Sequence, residues 1–455
     1  MAEYLLADIG STFTKLCLVD TRGPAVCATA RAPTTIETDV NEGFEGALAS
    51  LGRRPRPGAP TLVCSSAAGG LRIAAVGLVP ELTVQAARLA ALGAGGKVVQ
   101  ALAFELTGDD LTRLQRGRPD LILLTGGTDG GNSDYILRNA RLLAEHTPDT
   151  PLVVAGNRAT YDSLRALFAG RDDVRFVGNV MPALGTLDLE PAREAIRDVF
   201  LRRITRAKGI DRIRAQAQVV MPTPLAVVEA AALLSKGLPP EDGWGELVVV
   251  DVGGATTDVC SCAVGAPASA GVTLTGLTEP FVKRTVEGDL GVRHTARSLL
   301  EEATPAGLAA ESGLAAEDVE RWVELVAAEP ARLPACAAEQ ALDTALARAC
   351  CRLAVERHCG RLRTLYTPQG RQYVQEGKDL AGVGWLIGTG GPLAGSPVPA
   401  TILEGGLRAE GETALKPVSP RLAVDRDYVL WALGLLAQVE PTAASRLLPA
   451  QMTPV

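Results

Sequence analysis

Two stretches of the chain share one pattern of apolar and polar positions. Residues 4–20 read YLLADIGSTFTKLCLVD, and residues 246–263 read ELVVVDVGGATTDVCSCA. In each stretch an apolar run leads into an Asp-x-Gly turn with hydroxyl residues, and a second apolar run follows. Valine-rich runs such as 247–250 suit strands that are covered on both faces, and such strands feed loops at their carboxyl ends. The pattern therefore predicts two strand–turn–strand hairpins.

Polar groups in the second turn are suited to phosphate chemistry. Gly253 and Gly254 have no Cβ, so the backbone can adopt φ > 0 and bring N–H groups close to phosphate oxygens. Asp251 could hold a hydrated Mg²⁺ or orient a water, Thr256 offers a hydroxyl and Asp258 a second carboxylate. The first hairpin offers a similar set: Asp8, Gly10, Ser11, Thr12 and Lys15. An ordinary tight turn explains either hairpin alone, whereas the pair favours a duplicated framework that closes on one triphosphate.

Between the hairpins, short apolar runs alternate with amphipathic stretches. Strands are predicted at 61–64, 71–79, 97–104, 121–125, 151–155 and 174–177, and helices at 83–92, 109–116, 134–146 and 158–168. This alternation predicts a parallel, doubly wound sheet. Gly-rich loops at 64–70 and 125–132 follow two of the strands. Each loop either binds an anion or is a crowded turn that needs glycine, and both interpretations stay open.

The second half of the chain adds helices and a third Gly-rich turn. Helices are predicted at 190–208, 225–235 and 303–363, and an apolar C-terminal helix (YVLWALGLLAQ) is expected to pack on the core. Residues 281–293 read as a strand followed by Glu287, Gly288 and Asp289 at the opening of a helix, which is either a cap or a wall of a nucleotide cleft. A strand within 383–392 delivers Gly388, Thr389, Gly390 and Gly391. The backbone of this GTGG turn can lie flat against a planar ring.

Composition narrows the classes of partner. The chain has 455 residues, which is more than one hydrophobic core normally holds, so two or more domains are expected. Of these residues, 47% are hydrophobic. Its formal net charge is −7 and its aromatic content 4%, so no basic or aromatic surface for nucleic acid is expected. No apolar run reaches membrane-spanning length. Nine scattered cysteines, an odd number, indicate reduced thiols, and we expect a soluble cytoplasmic protein.

Three modules in the order phosphate loop, phosphate loop, adenosine loop resemble the actin, Hsp70 and sugar-kinase superfamily of ATPases. The resemblance implies an α/β fold, namely an actin/Hsp70-like duplicated ATPase fold with an inserted α/β region of parallel-sheet type. Related ATPases often carry a catalytic acid at the start of the helix before the second hairpin. Here that position falls on Thr223 or Pro224, and the nearest carboxylate is Glu229, so fast hydrolysis is not expected.

Five segments are expected from this resemblance. They are 1–60 as the first half of the ATPase core, 61–215 as the α/β region with Gly-rich loops, 216–300 as the second half of the core, 301–375 as a helical subdomain, and 376–455 as the adenosine strand-loop and C-terminal helix.

A closer resemblance rests on six strings spread over nearly the whole chain. They are DIGSTFTK at 8–15, SSAAGGLR at 65–72, LTGGTDGGN at 124–132, DVGGATTDV at 251–259, TVEGDLGVR at 285–293 and GTGG at 388–391. Together they resemble the glutamate mutase (methylaspartate mutase) accessory proteins of the MutL/GlmL type. The resemblance implies an ATP-dependent reactivating chaperone that loosens an adenosylcobalamin-dependent mutase so that damaged cobalamin leaves. The chain has no D-x-H-x-x-G cobalamin motif of its own, so contact with mutase subunits is expected.

The resemblance also implies roles for the two hairpins. Asp8 and Asp251 are expected to face each other across Mg²⁺, held through water, with Asp258 as a further catalytic carboxylate. The remaining ATP-binding set is Gly10, Ser11, Thr12, Lys15, Gly253, Gly254, Thr256, Glu287, Gly288, Asp289 and the GTGG turn. Lys15 either neutralises phosphate charge or points to solvent. A slow ATPase is expected; a small-molecule kinase and an actin-like scaffold remain alternatives, and a homodimer is left open.

Overall fold

The chain divides into two units. The structure is a computed structural model that describes residues 3–10, 13–35, 39–66, 71–204, 217–269, 271–368 and 370–455. The first unit comprises Met1–Ala226 with Gly276–Thr278, and the second comprises Val227–Thr275 with Glu279–Val455.

The first unit contains two sheets with their covering helices. Its strands are β1 (Glu3–Ile9), β2 (Phe13–Asp20), β3 (Ala25–Pro33), β4 (Thr61–Ser65), β5 (Arg72–Gly77), β6 (Lys97–Ala103), β7 (Leu121–Leu124), β8 (Leu152–Val154), β9 (Val174–Phe176) and β10 (Ala217–Pro222). Its helices are α1 (Val40–Ser50), α2 (Gln85–Gly93), α3 (Gly108–Gly117), α4 (Asp134–His146), α5 (Tyr161–Leu167) and α6 (Glu190–Ile204). The chain passes into the second unit within α7 (Thr223–Lys236).

The second unit contains one large sheet, two small ones and the remaining helices. Its strands are β11 (Gly237–Leu238), β12 (Glu241–Asp242), β13 (Leu247–Val252), β14 (Thr257–Cys262), β15 (Val272–Thr275), β16 (Val282–Glu287), β17 (Arg361–Thr367), β18 (Gly370–Glu376), β19 (Trp385–Thr389), β20 (Arg421–Asp425) and β21 (Met452–Pro454). Its helices are α8 (Ala296–Ala303), α9 (Pro305–Ser312), α10 (Ala316–Ala328), α11 (Ala337–His358), α12 (Gly391–Ala394), α13 (Pro399–Leu403), α14 (Leu430–Leu436) and α15 (Pro441–Gln451).

The principal sheets of the two units repeat one topology. In the first unit the strand order is β10-β4-β1-β2-β3, in which β1, β2 and β3 are antiparallel while β4 and β10 continue the sheet in parallel. In the second unit the order is β16-β14-β13-β19-β20-β21. Here β13, β14 and β16 are antiparallel, and β19 and β20 continue in parallel. The fold is therefore internally duplicated, as the sequence predicts.

Each repeat places its Asp-x-Gly turn at the carboxyl end of a central strand. Every residue of β1 is buried, and β13 is buried except at Asp251. Both strands have a neighbour on each side and are covered on both faces. Continuous apolar runs fold this way because neither face of a central strand meets water. The turns that follow are thus each attached to a buried central strand.

The inserted α/β region is a five-stranded parallel sheet in the first unit, with strand order β6-β5-β7-β8-β9. Alternate residues of β5 and β7 enter two different hydrophobic cores, one on each face of the sheet. The strands and helices predicted for 71–177 are confirmed. The predicted strand at 61–64 is also present, but it belongs to the principal sheet as β4.

Three predictions of local structure were wrong or fall partly outside the described ranges. The predicted helix 303–363 instead comprises several helices and ends at His358, and β17 follows it. No helix opens at Glu287, because Glu287 is the last residue of β16 and α8 begins only at Ala296. In the helix predicted at 190–208, residues 190–204 are helical and 205–208 lie outside the described residues. The C-terminal apolar helix is confirmed as α14, and all of its residues are buried.

Candidate functional site

The first hairpin turn is closed by its own backbone. The Gly10 N–H donates to the Phe13 carbonyl at 3.1 Å, and a Cβ on Gly10 would lie 2.6 Å from that same oxygen. Real Cβ atoms do not approach so closely, so this turn requires glycine. Ser11 and Thr12, the other predicted phosphate-binding residues of this turn, lie outside the described residues.

Asp8 is a buried carboxylate of the first unit. Its side chain is 1% exposed and lies between three others. Lys15 Nζ donates to Oδ2 at 2.9 Å, and the hydroxyl of Thr223 donates to Oδ1 at 2.6 Å. The Cys64 thiol lies 3.8 Å from Oδ1. Burial and the Asp8 charge raise the pKa of Cys64 well above its ordinary value, so this group is a thiol and not a thiolate.

Lys15 therefore does not point into solvent, which was one of the two alternatives from the sequence. Its Cα lies opposite that of Asp8 across the β1–β2 ladder, and its side chain is only 20% exposed. The ammonium group binds the Asp8 carboxylate, so the two groups neutralise each other at the strand end.

The second hairpin turn repeats the geometry of the first. The Gly253 N–H donates to the Thr256 carbonyl at 2.9 Å, and a Cβ on Gly253 would lie 2.8 Å from that oxygen. Asp251 lies opposite Asp258 across the β13–β14 ladder, as Asp8 lies opposite Lys15 in the first hairpin. The two turns thus have the same hydrogen bond and the same aspartate position.

Residues that follow β16 donate hydrogen bonds to a carbonyl of the second turn. The amides of Arg293 and His294 both donate to the Gly254 carbonyl at 2.8 Å. The amides of Gly254 and Ala255 have no protein acceptor within the described part of the chain, and both residues are at least partly exposed. Consecutive free amides in a glycine turn are the donors that phosphate oxygens accept from.

Asp258 takes part in an ion pair that the sequence did not indicate. Arg284 of β16 donates to Asp258 Oδ1 from Nε at 2.8 Å and also from Nη2. The arginine side chain is 4% exposed and the aspartate side chain 21%. The hydroxyl of Thr256 also lies 3.4 Å from Asp258 Oδ2. The carboxylate of Asp258 therefore compensates a buried cation.

Glu287 and Asp289 both bind Arg357, near the end of α11. The arginine Nη1 donates to Glu287 Oε2 at 3.0 Å and to Asp289 Oδ2 at 2.8 Å. Partial burial opposes the charged form of Arg357, but the hydrogen bonds to these carboxylates dominate and raise its pKa. Gly288 lies between the two carboxylates in the turn after β16. These residues therefore form a charged cluster between β16 and α11.

Within the second unit, the GTGG turn lies against the Asp251 hairpin. Gly388 and Thr389 end β19, and Thr389 lies opposite Asp251 in the parallel register. Gly390 has φ +95°, and a Cβ there would lie 2.2 Å from the Val252 carbonyl oxygen and 2.6 Å from Asp251 Oδ1. Gly391 then begins α12. Two of the three predicted nucleotide modules are thus adjacent, and glycine is what permits the contact.

Asp425, at the end of β20, holds the GTGG turn from the other side. The hydroxyl of Thr389 donates to Asp425 Oδ2 at 2.9 Å, and the amides of Val429 and Leu430 donate to the same carboxylate. Asp425 is fully buried, and this burial raises its pKa to about 6 despite the three hydrogen bonds.

Sequence reasoning missed Arg284, Arg357 and Asp425, and it noted Thr223 only as a replacement for an acid. Each of these side chains acts on a predicted site residue from a different strand or helix. Asp425 ends an apolar strand, as Asp8 and Asp251 nearly do. This pattern was the one signal in the sequence that could have indicated Asp425 as a site residue.

The Gly-rich loop 125–132 uses its polar groups within the protein. The buried Asn157 side chain accepts from the Gly130 amide and donates to the Gly131 and Asn132 carbonyls. Asn179 donates to the Gly127 carbonyl, and a Cβ on Gly127 would lie 2.2 Å from the Asn132 oxygen. These contacts favour the crowded-turn interpretation of this loop. In the other loop, residues 67–70 lie outside the described residues.

The described ranges contain neither a membrane-spanning helix nor a cluster of metal-ligating side chains. Every helix there is too short or too polar to cross a bilayer. In the same residues, no three His, Cys, Asp or Glu side chains cluster as metal ligands would.

The repeated sheet and repeated hairpin define the class of protein. Each unit has three antiparallel strands followed by parallel ones, with an aspartate–glycine turn after the central strand. This is the duplicated α/β fold of the actin, Hsp70 and sugar-kinase ATPases. More particularly, the chain belongs to the MutL family, whose model, described as MutL protein, matches residues 4–452. Protein MutL of Clostridium tetanomorphum is 45% identical over 455 residues, with 98% of both chains covered.

Similar solved structures are much more distant. Component A of the (R)-2-hydroxyglutaryl-CoA dehydratase of Acidaminococcus fermentans has 10% identity and a TM-score of 0.33, over 98% of this chain and 100% of that one. Xylulose kinase from Bifidobacterium adolescentis has 13% identity and a TM-score of 0.31, over 100% and 95%. Likeness at this level assigns no function, and the fold assignment depends on the strand order in each unit.

Proposed function

We propose that this protein is an ATP-dependent reactivating chaperone for an adenosylcobalamin-dependent mutase, either glutamate mutase or a related aminomutase. It is at the same time a slow ATPase that releases phosphate to water. The ATP part is carried by one observation, the repetition of the Asp8 hairpin geometry at Asp251. The choice of client is supported by membership of the MutL family and by the six motif strings.

Both hairpins contribute to binding one ATP in this proposal. The first supplies Gly10, Ser11, Thr12 and Lys15, the second supplies Gly253, Gly254 and Thr256, and the GTGG turn receives adenosine. The donor set fits a triphosphate, because it combines glycine turns, free amides and a lysine. Asp8 and Asp251 would hold a hydrated Mg²⁺ through its water ligands, since this ion dehydrates reluctantly and usually keeps several waters. The bound nucleotide supplies a phosphoanhydride whose cleavage distinguishes two states of the protein.

The charged residues beside the second turn have roles that follow from the ion pairs they form. Glu287, Gly288 and Asp289 form a wall of the cleft through Arg357, which binds both carboxylates. Asp258 acts chiefly by holding Arg284 and secondarily as a carboxylate near the second turn.

Slow hydrolysis follows from the surroundings of Asp8. The position where related ATPases carry an acid falls on Thr223 or Pro224, and the hydroxyl of Thr223 donates to the Asp8 carboxylate. A threonine hydroxyl does not accept a proton from water at neutral pH, so no second base stands beside Asp8 at this position. We therefore expect phosphate release to be slow until a mutase binds.

Coupling to the client requires two states with different affinity for ATP. A ligand shifts a conformational equilibrium only by its differential affinity for the two states. Domain closure around a nucleotide is a common way of building such a difference. ATP-driven closure would loosen the mutase, and damaged cobalamin would leave.

All nine cysteines are free, which fits the reducing cytoplasm where we place the protein.

The ATP assignment is tested by calorimetry on matched variants. Asp8→Asn and Asp251→Asn keep the shape of each side chain and remove its charge. Each is expected to weaken Mg-ATP binding by about tenfold or more, which corresponds to about 1.4 kcal/mol. Asp20→Asn, at the far end of β2, is the control and should bind as the parent does. Parental affinity and turnover in both site variants would remove the assignment.

The chaperone assignment is tested separately with a purified, inactivated adenosylcobalamin mutase. Addition of that mutase should stimulate phosphate release, and fresh adenosylcobalamin should then restore mutase activity only when ATP is present. ATP binding without recovery of the mutase would overturn the chaperone part and leave the ATP part standing. Transfer of the γ-phosphate to a metabolite would point to the kinase alternative.

A further inference from the structure

The hairpin β17–β18 presents an open edge. Together with β15 it forms a three-stranded sheet with the order β15-β18-β17, so β17 is an edge strand. Within the described part of the chain, only its first residues are covered on the outer side. The Leu362 N–H donates to the Thr413 carbonyl at 2.9 Å, and Arg361 forms an isolated bridge with Ala414.

The backbone groups of Thr364 and Tyr366 lie on that outer edge. In an antiparallel ladder, residues that bond to the neighbouring strand alternate with residues that point away from it. Leu362 points away from β18, so Thr364 and Tyr366 do the same. Among the described residues, no strand pairs with them. A flat row of unpaired N–H and C=O groups is a template for another strand.

Large apolar side chains are exposed on both faces of this hairpin. Tyr366 is 77% exposed and shares a face with Tyr373, which is 43% exposed. Leu365, on the opposite face, is 47% exposed. Edge strands of soluble proteins normally avoid such a combination, because it favours association.

We propose that a second copy of this chain covers this edge, with β17 pairing antiparallel to β17 of that copy about a two-fold axis at Leu365. Leu365 then faces Leu365 of the partner subunit. Thr364 and Tyr366 of each copy exchange hydrogen bonds across the axis. The two three-stranded sheets become one sheet of six strands.

The sequence of β17 selects this register. Centring the axis on Tyr366 would set Thr364 opposite Pro368, which has no N–H. Centring it on Thr364 would set Tyr366 opposite Leu362, whose N–H is already bonded to Thr413. With the axis at Leu365, both outward residues find partners.

Charge also agrees with a self-complementary pairing. Arg363 faces Thr367 of the partner subunit in this register, so no arginine lies directly opposite another arginine. Like charges directly opposite each other would destabilise the pair. A C2 interface of this kind needs only one surface patch that is complementary to itself. Such a dimer would form independently of ATP binding and of the mutase.

Light scattering with size-exclusion chromatography tests the dimer first. The mass should approach twice the 47.3 kDa of the chain as the concentration rises from about 1 to about 100 µM, a range suited to a small interface. Thr364→Pro removes an outward N–H without touching the β17–β18 ladder and should give a monomer. Tyr373→Ser, on the central strand β18, is the control and should remain dimeric. Circular dichroism checks that both variants are folded.

Cross-linking tests the register itself. In a non-hydrogen-bonded antiparallel pair the Cα atoms are about 4.5 Å apart, within the range that a disulfide spans. In a background with the exposed Cys336 replaced by serine, Leu365→Cys should therefore cross-link with oxidised glutathione. Arg363→Cys should cross-link far more slowly, since its opposite residue is Thr367. A monomer at every concentration, or equal cross-linking of the two variants, would overturn the proposal and leave the edge to a different protein or to solvent.

Discussion

Replacing Asp258 by alanine separates a structural role of this residue from a catalytic one. The change removes the carboxylate that binds Arg284, whose side chain is 4% exposed. Removing one partner of a buried ion pair costs about 3–5 kcal/mol, because a charge remains in a poorly solvated position. Asp258 itself is 21% exposed, so water can partly replace it. We therefore expect a loss near the lower limit, about 3 kcal/mol.

The assay exploits the positions of the tryptophans. All four, Trp244, Trp322, Trp385 and Trp431, lie in the second unit, as Asp258 does, so tryptophan fluorescence reports the unfolding of that unit. A loss of about 3 kcal/mol corresponds to a fall in Tm of roughly 6–12 °C for a unit of this size. Urea titration followed by fluorescence gives the free energy directly.

A double-mutant cycle provides the control. Asp258→Ala combined with Arg284→Met removes both charges, and the pair should be less destabilised than the sum of the single variants. An interaction energy of about 1–3 kcal/mol is expected for groups in direct contact. If Asp258→Ala keeps the parental stability and instead abolishes phosphate release, the ion pair is not its main role and the reasoning is refuted.

Two further changes probe the GTGG turn. Asp425 has a pKa of about 6 in the fold, above the ordinary 3.8, so the folded state binds more protons than the unfolded state. The contribution of this group to stability therefore grows as the pH falls from about 7 to about 4. Asp425→Asn should abolish that contribution, and urea titrations showing the same dependence of stability on pH in both proteins would contradict this. Gly390→Ala places a Cβ 2.2 Å from the Val252 oxygen at φ +95° and should lower the free energy of unfolding by about 1–3 kcal/mol in urea titrations. Gly391→Ala, with open space around its Cβ, is the control for stability, and equal destabilisation by the two changes would count against the contact.

Most of the secondary structure could be predicted because it depends on local pattern. The two hairpins, the alternating strands of 71–177 and the helix α14 each have a clear apolar period. The helix predicted through 363 extended too far, because the alanine-rich pattern of α11 masked the alternating β17 that follows Gly360. The prediction that a helix begins at Glu287 was also wrong, since an acidic residue beside a glycine resembles a helix cap even where the chain only turns.

The sequence by itself determined the duplicated framework. Asp8 and Asp251 end apolar runs and precede glycine turns, and such turns follow from backbone sterics within a few residues. Tertiary structure alone decided what surrounds those carboxylates. The partners Lys15 and Thr223 of Asp8, Arg284 of Asp258 and Asp425 of Thr389 come together only when strands and helices pack. The reason is physical: a buried charge takes whichever partner the fold brings within hydrogen-bond distance, and separation along the chain does not encode that distance.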